Sequence, residues 1–461
     1  WETWEPFPDL RQKDKAFKLS ERNFSSGLMD HLKEQMGKCA TEFNMEQFSF
    51  PYDRWEELKN VIWYATPELF HVMSLGAVYN PSTGMITKLR ASYATYADTK
   101  EEYQTCFAKM RAGAEYLLRD VKGNDNLTQV EKALILHDRL AVWNEYDLDA
   151  LSDMNSNQRP SFGAYGALGE ATSVCQGYAM AYMYLLQQVG IESDYCSSQT
   201  LNHGWNIVYI DGVAYHVDVT WDDPINGYSG PYSDTYGNVQ HTNFLRSSAG
   251  IWDTGHEAND YDTTPNDSRY DSKSTTTWWW NSNAEVQLID NNLYYLDNDL
   301  GKVICANNGS TVYSYDNAWY SFYYRLSSVG RMLLSSNHNT VQRINPATGA
   351  ASVVYTVQNG HIQGMKYENG KIHIQLEDGN GNVSRQSIAY TLPEGEAVPG
   401  DFTGEGFVNS ADGLLLLRWL NGWELAVAQE NKLDVSGDGK VDSLDGLLLM
   451  RKLNGWNVTL Q

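Results

Sequence analysis

A cysteine at the start of a predicted helix is the residue of this chain best suited to nucleophilic chemistry. Cys175 opens an apolar segment that ends at Gly190, a residue typical of helix C-caps. A thiol at a helix N-terminus feels the positive end of the helix dipole, which lowers its pKa and favours the thiolate. The sequence therefore predicts a nucleophile at Cys175, and this nucleophile needs a base.

A predicted β-hairpin downstream of this helix supplies a base and a carboxylate. The Asp211-Gly212 dipeptide is a strong two-residue turn signal, so Ile210 is expected to pair with Val213. That register places His203 diagonally opposite Asp218 on one face, where Cα atoms lie about 7–8 Å apart and the two side chains can meet. The hairpin thus predicts a base and an orienting acid for the cysteine.

Each of these residues also has a structural interpretation. A cysteine in a helix is usually a small buried hydrophobe, and a histidine beside an aspartate on a strand is usually a structural hydrogen bond. The combination with a helix start favours the functional interpretation. His216 lies on the same face and competes with His203 as the base, but its neighbours Tyr215 and Val217 favour packing.

Three motifs around these residues closely resemble bacterial transglutaminase-like proteins, which have a papain-like cysteine core. The motifs are SVCQGY at Ser173–Tyr178, HGWN at His203–Asn206 and HVDVTWDDP at His216–Pro224. The resemblance implies that Cys175 is the nucleophile, His203 the base and Asp218 the orienting acid, with no cofactor for catalysis. It departs from the family at Gly204, where Ala or Ser is more usual. The segment 243–256 is also similar to the family.

An acyl-enzyme reaction also requires an oxyanion hole. The backbone N–H of Cys175 is the natural first donor, and Tyr165 or Gln158 is the predicted second donor. The family's chemistry is attack of a thiolate on an amide or ester carbonyl, after which the acyl group passes to water or to an amine. We expect hydrolysis of protein or peptide amides more than crosslinking, although the sequence leaves both outcomes and the substrate open.

Two twelve-residue loops, 401–412 and 434–445, repeat near the C-terminus at an interval of 33 residues. Each has oxygen side chains at loop positions 1, 3, 5, 9 and 12 and a glycine at position 6, the spacing of a calcium-binding loop. The predicted ligands are Asp401, Thr403, Glu405, the carbonyl of Phe407, Asn409 and Asp412, and then Asp434, Ser436, Asp438, the carbonyl of Lys440, Asp442 and Asp445. Two structural calcium ions are expected, with weaker binding in the first loop.

Each loop leads into an apolar helix, and residues 401–423 and 434–456 agree at 15 of 23 positions. Doubled loop-helix units with Asp at loop position 12 resemble type I-like dockerin modules, which bind cohesin modules on the scaffoldin proteins of cellulosomes. The resemblance implies that the following residues face the cohesin: Ser410, Ala411, Arg418, Ser443, Leu444 and Arg451.

The composition limits the classes of partner. The 461 residues include 34 Lys and Arg against 58 Asp and Glu, a net charge of -24, which disfavours nucleic acid and anionic membranes. No run of about 18 apolar residues predicts a membrane span. The five cysteines are scattered without a CxxC motif, so a zinc site is not expected. A start at Trp1 without a leader is interpreted as a mature secreted form, although an artificial start would look the same.

The chain is predicted to be a multidomain α+β protein. The predicted parts are a mainly helical region with a hairpin at 1–120, a transglutaminase-like core at 121–275, a small all-β domain at 276–392, a linker at 393–399 and a helical calcium-binding dockerin at 400–461. Strands within 276–392 begin roughly 40 residues apart, as in propeller blades, although an ordinary small sheet domain is equally compatible.

These features predict a secreted cellulosomal cysteine enzyme that carries out acyl transfer and is anchored to a scaffoldin cohesin. The competing hypothesis is a non-catalytic adaptor on the same scaffold, with a β domain that binds polysaccharide or cell wall. The complete set of Cys175, His203 and Asp218 favours the enzyme.

Overall fold

The computed structural model of the protein describes most of the chain in ten segments. These are residues 2–6, 17–150, 160–224, 235–316, 323–393, 398–404, 406–423, 433–454, 456 and 458–461. Gln158, Glu405 and most of the predicted linker therefore lie outside the described residues.

The described helices and strands follow one another in a mixed order. The helices are α1 (Ser26–Gly37), α2 (Trp55–Tyr64), α3 (Lys100–Leu118), α4 (Gln129–Trp143), α5 (Cys175–Gln188), α6 (Ser248–Trp252), α7 (Ser410–Leu420) and α8 (Ser443–Leu453). The strands are β1 (Glu2–Pro6), β2 (Phe17–Leu19), β3 (Glu42–Asn44), β4 (Val72–Asn80), β5 (Met85–Tyr93), β6 (Glu145–Tyr146), β7 (Thr172–Ser173), β8 (Ser193–Ser198), β9 (His203–Ile210), β10 (Val213–Val217), β11 (Gln287–Ile289), β12 (Asn292–Asp297), β13 (Lys302–Cys305), β14 (Thr311–Ser314), β15 (Arg325–Val329), β16 (Met332–Ser336), β17 (Thr340–Ile344), β18 (Ala351–Thr356), β19 (His361–Glu368), β20 (Lys371–Glu377) and β21 (Val383–Ala389).

The chain forms two compact units, and each is assembled from separate segments. The first consists of Trp1–Ala114, Trp143–Asp222 and Thr242–Ser272; the second consists of Glu115–Val142, Asp223–His241 and Lys273–Gln461. These units cut across the predicted boundaries at 120 and 275. The difference arises because α4, predicted to be part of the core, packs with the C-terminal β-sheets: the Asp138 carboxylate on α4 accepts the N–H of Val286 at 2.8 Å.

The first unit is less helical than predicted for its N-terminal part. Helices α2 and α3 form where the apolar spacing predicts them, and β4 and β5 form the predicted hairpin. Strands β1 and β3 then join this hairpin in a four-stranded antiparallel sheet of order β1-β4-β5-β3. Leu58 and Ile62 on α2 and Leu75 on β4 are fully buried in the core beside this sheet.

A second four-stranded sheet, of order β10-β9-β8-β2, carries the predicted catalytic hairpin. Ile210 pairs with Val213 as predicted, and Asp211 and Gly212 have φ values of 49° and 80°. Helix α5 lies on this sheet, and Asn206 on β9 donates its side-chain N–H to the carbonyl of Ala179 at 3.0 Å. This contact aligns the start of α5 with the start of β9.

The second unit contains three small antiparallel sheets of four, four and three strands within the described residues. Each is a meander, formed by β11 to β14, by β15 to β18 and by β19 to β21. Their second strands begin at Asn292, Met332 and Lys371, which is the interval that the sequence indicates. Helices α7 and α8 follow, with Leu416 and Leu449 fully buried in a separate small core.

Candidate active site and calcium loops

Cys175 is the first residue of α5, preceded by Val174 in an extended conformation with φ -96° and ψ 177°. This abrupt change places the thiol at the N-terminal end of the helix, as predicted. The Cys175 thiol lies beside the His203 imidazole, close enough for their side chains to interact. Both are largely buried, with 8% and 6% of their surfaces exposed. The helix start and the strand start therefore bring nucleophile and base into contact.

Asp218 completes the predicted set. The Nε2 of His203 lies 2.6 Å from Oδ2 of Asp218, which leaves Nδ1 of the imidazole for the thiol. The other carboxylate oxygen, Oδ1, accepts the backbone N–H groups of Thr220 at 3.0 Å and Trp221 at 3.3 Å. Asp218 is therefore fixed by its own chain as well as by the histidine.

The electrostatics of these groups favour a thiolate beside an imidazolium. Burial alone would raise the pKa of Cys175, but the hydrogen bond and charge of His203 outweigh burial and lower it. Burial also disfavours the imidazolium, yet Asp218 and Cys175 together raise the pKa of His203 to about 10. Asp218 is buried as well, and His203 and His256 hold its pKa far below the ordinary value. Because the thiol and imidazole interact so closely, they titrate as one pair.

The competing histidine, His216, is a packed residue. It is fully buried, its Nδ1 accepts the indole N–H of Trp205 at 3.1 Å, and its Nε2 lies 3.1 Å from the hydroxyl of Ser248. Burial lowers the pKa of His216 to about 3. Both ring nitrogens are thus used in the hairpin's own packing, as its apolar neighbours predict.

Tyr165, the predicted second oxyanion donor, is engaged elsewhere. Its hydroxyl donates to the Glu170 carboxylate and is hydrogen-bonded to Cys106, while its ring stacks on Phe70 with centroids 5.2 Å apart. These contacts give the predicted role of Tyr165 no support. Sequence spacing does not reveal this, because the short helical turn at Gly166–Glu170 turns the carboxylate back onto the tyrosine.

Tyr146 is a second tyrosine near the thiol, to which the sequence assigns no role. The Tyr146 hydroxyl lies near the backbone N–H and the thiol of Cys175. The parallel pairing of β6 with β7 aligns Tyr146 with Ser173, two residues before the thiol. Burial and the neighbouring Cys175 and Asp218 raise the pKa of Tyr146, so it keeps its proton. No local pattern predicts this contact, since a two-residue parallel bridge creates it.

His256 is another residue that pattern reasoning leaves without a role. Its Nε2 lies 3.0 Å from Oδ2 of Asp218, the oxygen that also contacts His203. The ring of Trp221 stacks on His203 with centroids 5.1 Å apart and lies tilted against His256 with centroids 4.0 Å apart. Trp221 is itself 36% exposed, so it separates the buried carboxylate from solvent.

The first calcium loop has its described oxygen ligands turned inward. Asp401 accepts the N–H of Gly406 at 2.6 Å, and Asp412 accepts the N–H of Thr403 at 2.9 Å. The Thr403 hydroxyl lies 3.2 Å from both carboxylates. Burial first, and then the charge of Asp401, raise the pKa of Asp412 to about 6 although it accepts several backbone N–H groups.

The second loop repeats this arrangement. Asp434 accepts the N–H of Gly439 at 2.7 Å and the hydroxyl of Ser436 at 3.0 Å, while Asp445 accepts the N–H of Ser436 at 2.9 Å. The glycines at position 6, Gly406 and Gly439, have φ values of 96° and 83°, which other residues rarely adopt. Converging hard oxygens around a sharp turn fit Ca²⁺.

The remaining predicted ligands are placed less directly. Asn409 and Asp442 are the N-caps of α7 and α8, and each accepts a backbone N–H of the first helical turn. The Asp438 carboxylate accepts the N–H of Lys440 at 2.9 Å, and the Phe407 side chain is buried. The predicted ligand Glu405 lies outside the described residues.

The predicted cohesin-facing residues are all at the surface. Ser410, Ala411, Arg418, Ser443, Leu444 and Arg451 are exposed. Arg418 lies over the ring of Trp423 at 5.6 Å, and Arg451 over that of Trp456 at 5.4 Å. These tryptophans are not among the predicted cohesin-facing residues, yet they are 61% and 62% exposed. The Leu-Asn-Gly-Trp sequence that ends each loop-helix repeat is the sequence signal for this Arg-Trp pairing.

The C-terminal module has a family match. The Dockerin type I domain family matches residues 399–454. A dockerin implies attachment to a cohesin in a cellulosome-type assembly, and type I dockerins typically bind Ca²⁺. No curated protein matches the chain.

Solved structures resemble the chain only distantly. A crystal structure of a TGase has a TM-score of 0.24 and 14% identity over 32% of this chain and 45% of its own. The computationally designed Ika4 protein has a TM-score of 0.17 and 16% identity over 23% of this chain and 68% of its own. The chain spans less than half the length of the TGase structure, and TM-scores this low do not establish a shared fold. Among the described residues, no helix has the length and apolarity needed to cross a membrane.

Proposed function

We propose that this protein is a transglutaminase-like cysteine enzyme that transfers acyl groups from protein or peptide amides and is carried on a cohesin-bearing scaffold in the extracellular space. The observation that supports the enzymatic part is the contact of Cys175 with His203, whose Nε2 lies 2.6 Å from Asp218. The papain-like character of the core belongs to this proposal, since it comes from the sequence motifs.

The proposed reaction begins with attack of the Cys175 thiolate on the amide carbonyl carbon. A bond forms between sulfur and carbon, and the carbonyl electrons move onto oxygen. His203, as the imidazolium, then donates its Nδ1 proton to the leaving amine as the C–N bond breaks. A thioester remains on Cys175. Water or an amine attacks it, His203 takes the proton of this acceptor, and the thiolate is regenerated.

Two groups are proposed to stabilise the oxyanion. The backbone N–H of Cys175, which lies near the Tyr146 hydroxyl, is the first donor. A tyrosine hydroxyl carries a proton that it can donate, so Tyr146 can serve as the second donor. We therefore assign the second donor to Tyr146 in place of Tyr165. Loss of one such donor typically costs about 10²- to 10³-fold in rate.

Incubation with the proteins of surrounding cell walls and biomass tests the enzymatic proposal. Mass spectrometry is expected to detect cleaved peptides with the native protein and none with the Cys175→Ser variant. Crosslinked products would identify an amine as the acceptor in place of water. Identical product patterns for both proteins would contradict the proposal and favour the adaptor.

Attachment is proposed to use the exposed helices α7 and α8. Two loops with matching ligands and two Arg-Trp pairs give the module two similar faces, so either repeat can lead the docking. Titration of a cohesin against variants at Ser410 and Arg418, and separately at Ser443 and Arg451, tests this. Both sets of variants are expected to weaken cohesin binding slightly and to a comparable extent. Complete loss from one set and no loss from the other would contradict the two-faced mode.

A further inference from the structure

The carboxylate of Asp218 is shared between two imidazoles. Its Oδ2 lies 2.6 Å from Nε2 of His203 and 3.0 Å from Nε2 of His256. We propose that His256 is a positioning residue, which holds Asp218 in the orientation that keeps His203 against Cys175. This inference rests on the proposed acyl-transfer function, although one arm of its test does not depend on activity.

His256 acts on Asp218 as a hydrogen-bond donor. The ring is fully buried, and its Nδ1 has no hydrogen-bond partner among the described residues. A proton on Nδ1 would therefore be desolvated without an acceptor, a costly arrangement. Nε2 is the ring nitrogen that faces Asp218, so His256 can donate to the carboxylate from this side and orient it.

The two histidines and the local backbone together occupy both oxygens of Asp218. Oδ1 is held by the N–H groups of Thr220 and Trp221, and Oδ2 by the two imidazoles. Without His256, Oδ2 is held by His203 alone, so the carboxylate has greater freedom to rotate about its Cβ–Cγ bond. The short bond to His203 would then lose its fixed direction.

The neighbouring residues fix the position of His256. Gly255 has a φ of 110°, and a Cβ added there would lie 3.1 Å from the Trp221 ring, so a glycine lets this loop pass beneath the indole. The Trp205 ring packs edge-on against His256 with centroids 5.0 Å apart. The titratable groups close to His256 are Asp218, His203 and His216.

Two variants of His256 separate positioning from packing. His256→Phe keeps a flat ring against the two tryptophans and removes the donor, whereas His256→Gln retains an amide N–H. We expect His256→Phe to slow iodoacetamide alkylation of Cys175 at pH 6 by about tenfold and to raise the apparent pKa of that reaction by about one unit, since one unit corresponds to a tenfold change. His256→Gln should restore most of the rate.

His216→Phe is the matched control, because His216 on β10 is as buried as His256 but does not touch Asp218. Its pH profile should match that of the native protein. Equal shifts for His216→Phe and His256→Phe would show a general packing effect and overturn the proposal. A lower apparent pKa in His256→Phe would also overturn it, since this would make His256 a competitor for Asp218.

A second arm distinguishes failure of this inference from failure of the proposed function. Slow alkylation of native Cys175 would contradict the function itself. In that event, the low-field proton resonance of the His203–Asp218 hydrogen bond is compared between Cys175→Ser and Cys175→Ser/His256→Phe. The proposal predicts an upfield move or loss of this resonance in the double variant. An unchanged resonance would overturn the positioning role whatever the activity.

Discussion

Two buried aspartates of this protein are each held between two histidines, yet the two clusters have different roles. In the first unit Asp218 lies between His203 and His256, and in the second unit Asp138 contacts His137 at 2.8 Å and His241 at 3.0 Å. Each cluster brings three donor atoms within 4.8 Å of one another. The grouping of residue types alone therefore does not identify an active site.

The Asp138 cluster is a closed ion pair. Nδ1 of His241 lies 3.0 Å from the carbonyl oxygen of Ser282, and its Nε2 lies 3.0 Å from Asp138. Both neighbours are hydrogen-bond acceptors, so each ring nitrogen of His241 has a partner. All three side chains of the cluster are fully buried. Its contacts join α4 to the chain before β11, which is a structural role.

The Asp218 cluster differs from the Asp138 cluster because it lies beside a nucleophile and because residues around it are partly exposed to solvent. Its first histidine contacts the Cys175 thiol, which is 8% exposed, and its cover, Trp221, is 36% exposed. The comparison indicates that the group beside the imidazole distinguishes the two clusters. A thiol beside it allows nucleophilic catalysis, whereas a backbone carbonyl beside it gives a structural contact.

Matched substitutions of the two aspartates provide the largest expected contrast. Asp218→Asn should lower acyl transfer by about 10⁴-fold, as loss of the orienting acid does in hydrolytic triads. Asp138→Asn should instead destabilise the fold by about 3–5 kcal/mol, because it leaves the charge of a buried pair uncompensated. Activity assays and urea unfolding of both variants measure the contrast. Comparable losses of activity in the two folded variants would remove the distinction.

The pH dependence of the two clusters should also differ. Acyl transfer should fall in acid as the Cys175 thiolate is protonated, and fall in alkali near pH 10, where His203 loses its proton. The pKa of Asp138 is lowered by its histidines against the effect of burial, so its stabilisation is present above its unfolded pKa and is lost as pH falls through the folded value. The pH dependence of the acyl-transfer rate tests the first prediction, and acid unfolding tests the second. An activity that keeps rising well above pH 10 would contradict the ion-pair description.

Calcium removal should have the smallest effect on the chemistry. Chelation with EGTA leaves the acidic loops around Asp401 and Asp434 uncompensated, so cohesin binding is expected to be lost. The alkylation rate of Cys175 should change by less than about twofold, because the ligands belong to the other unit. Cohesin titration and alkylation with and without EGTA measure both. Loss of cohesin binding together with a much slower alkylation of Cys175 would contradict the independence of the two sites.

The sequence predicts features whose signals are local. The Asp211-Gly212 turn sets the hairpin register, and Cys175 begins its helix where the apolar spacing starts. Loop spacing predicts calcium binding, and the resemblance of the doubled loops to a dockerin is confirmed by the family match over 399–454. In each case a few neighbouring residues determine the outcome.

Contacts between distant segments are what the sequence does not reveal. Tyr146 reaches the N–H of Cys175 through a two-residue bridge, and His256 reaches Asp218 from a loop beyond α6. Neither has a periodic or turn signal. Tyr165 is a donor that the sequence predicts, but its hydroxyl donates to the Glu170 carboxylate.

The most direct test of the account compares two thiols of equal exposure in the native protein. Cys175 and Cys106 are 8% and 9% exposed, but His203 lowers the pKa of Cys175 whereas burial raises that of Cys106. Iodoacetamide labelling at pH 6, followed by peptide mass spectrometry, should modify Cys175 faster by about 100-fold or more, because the thiolate is the reacting species. Equal rates for the two cysteines would contradict an activated nucleophile.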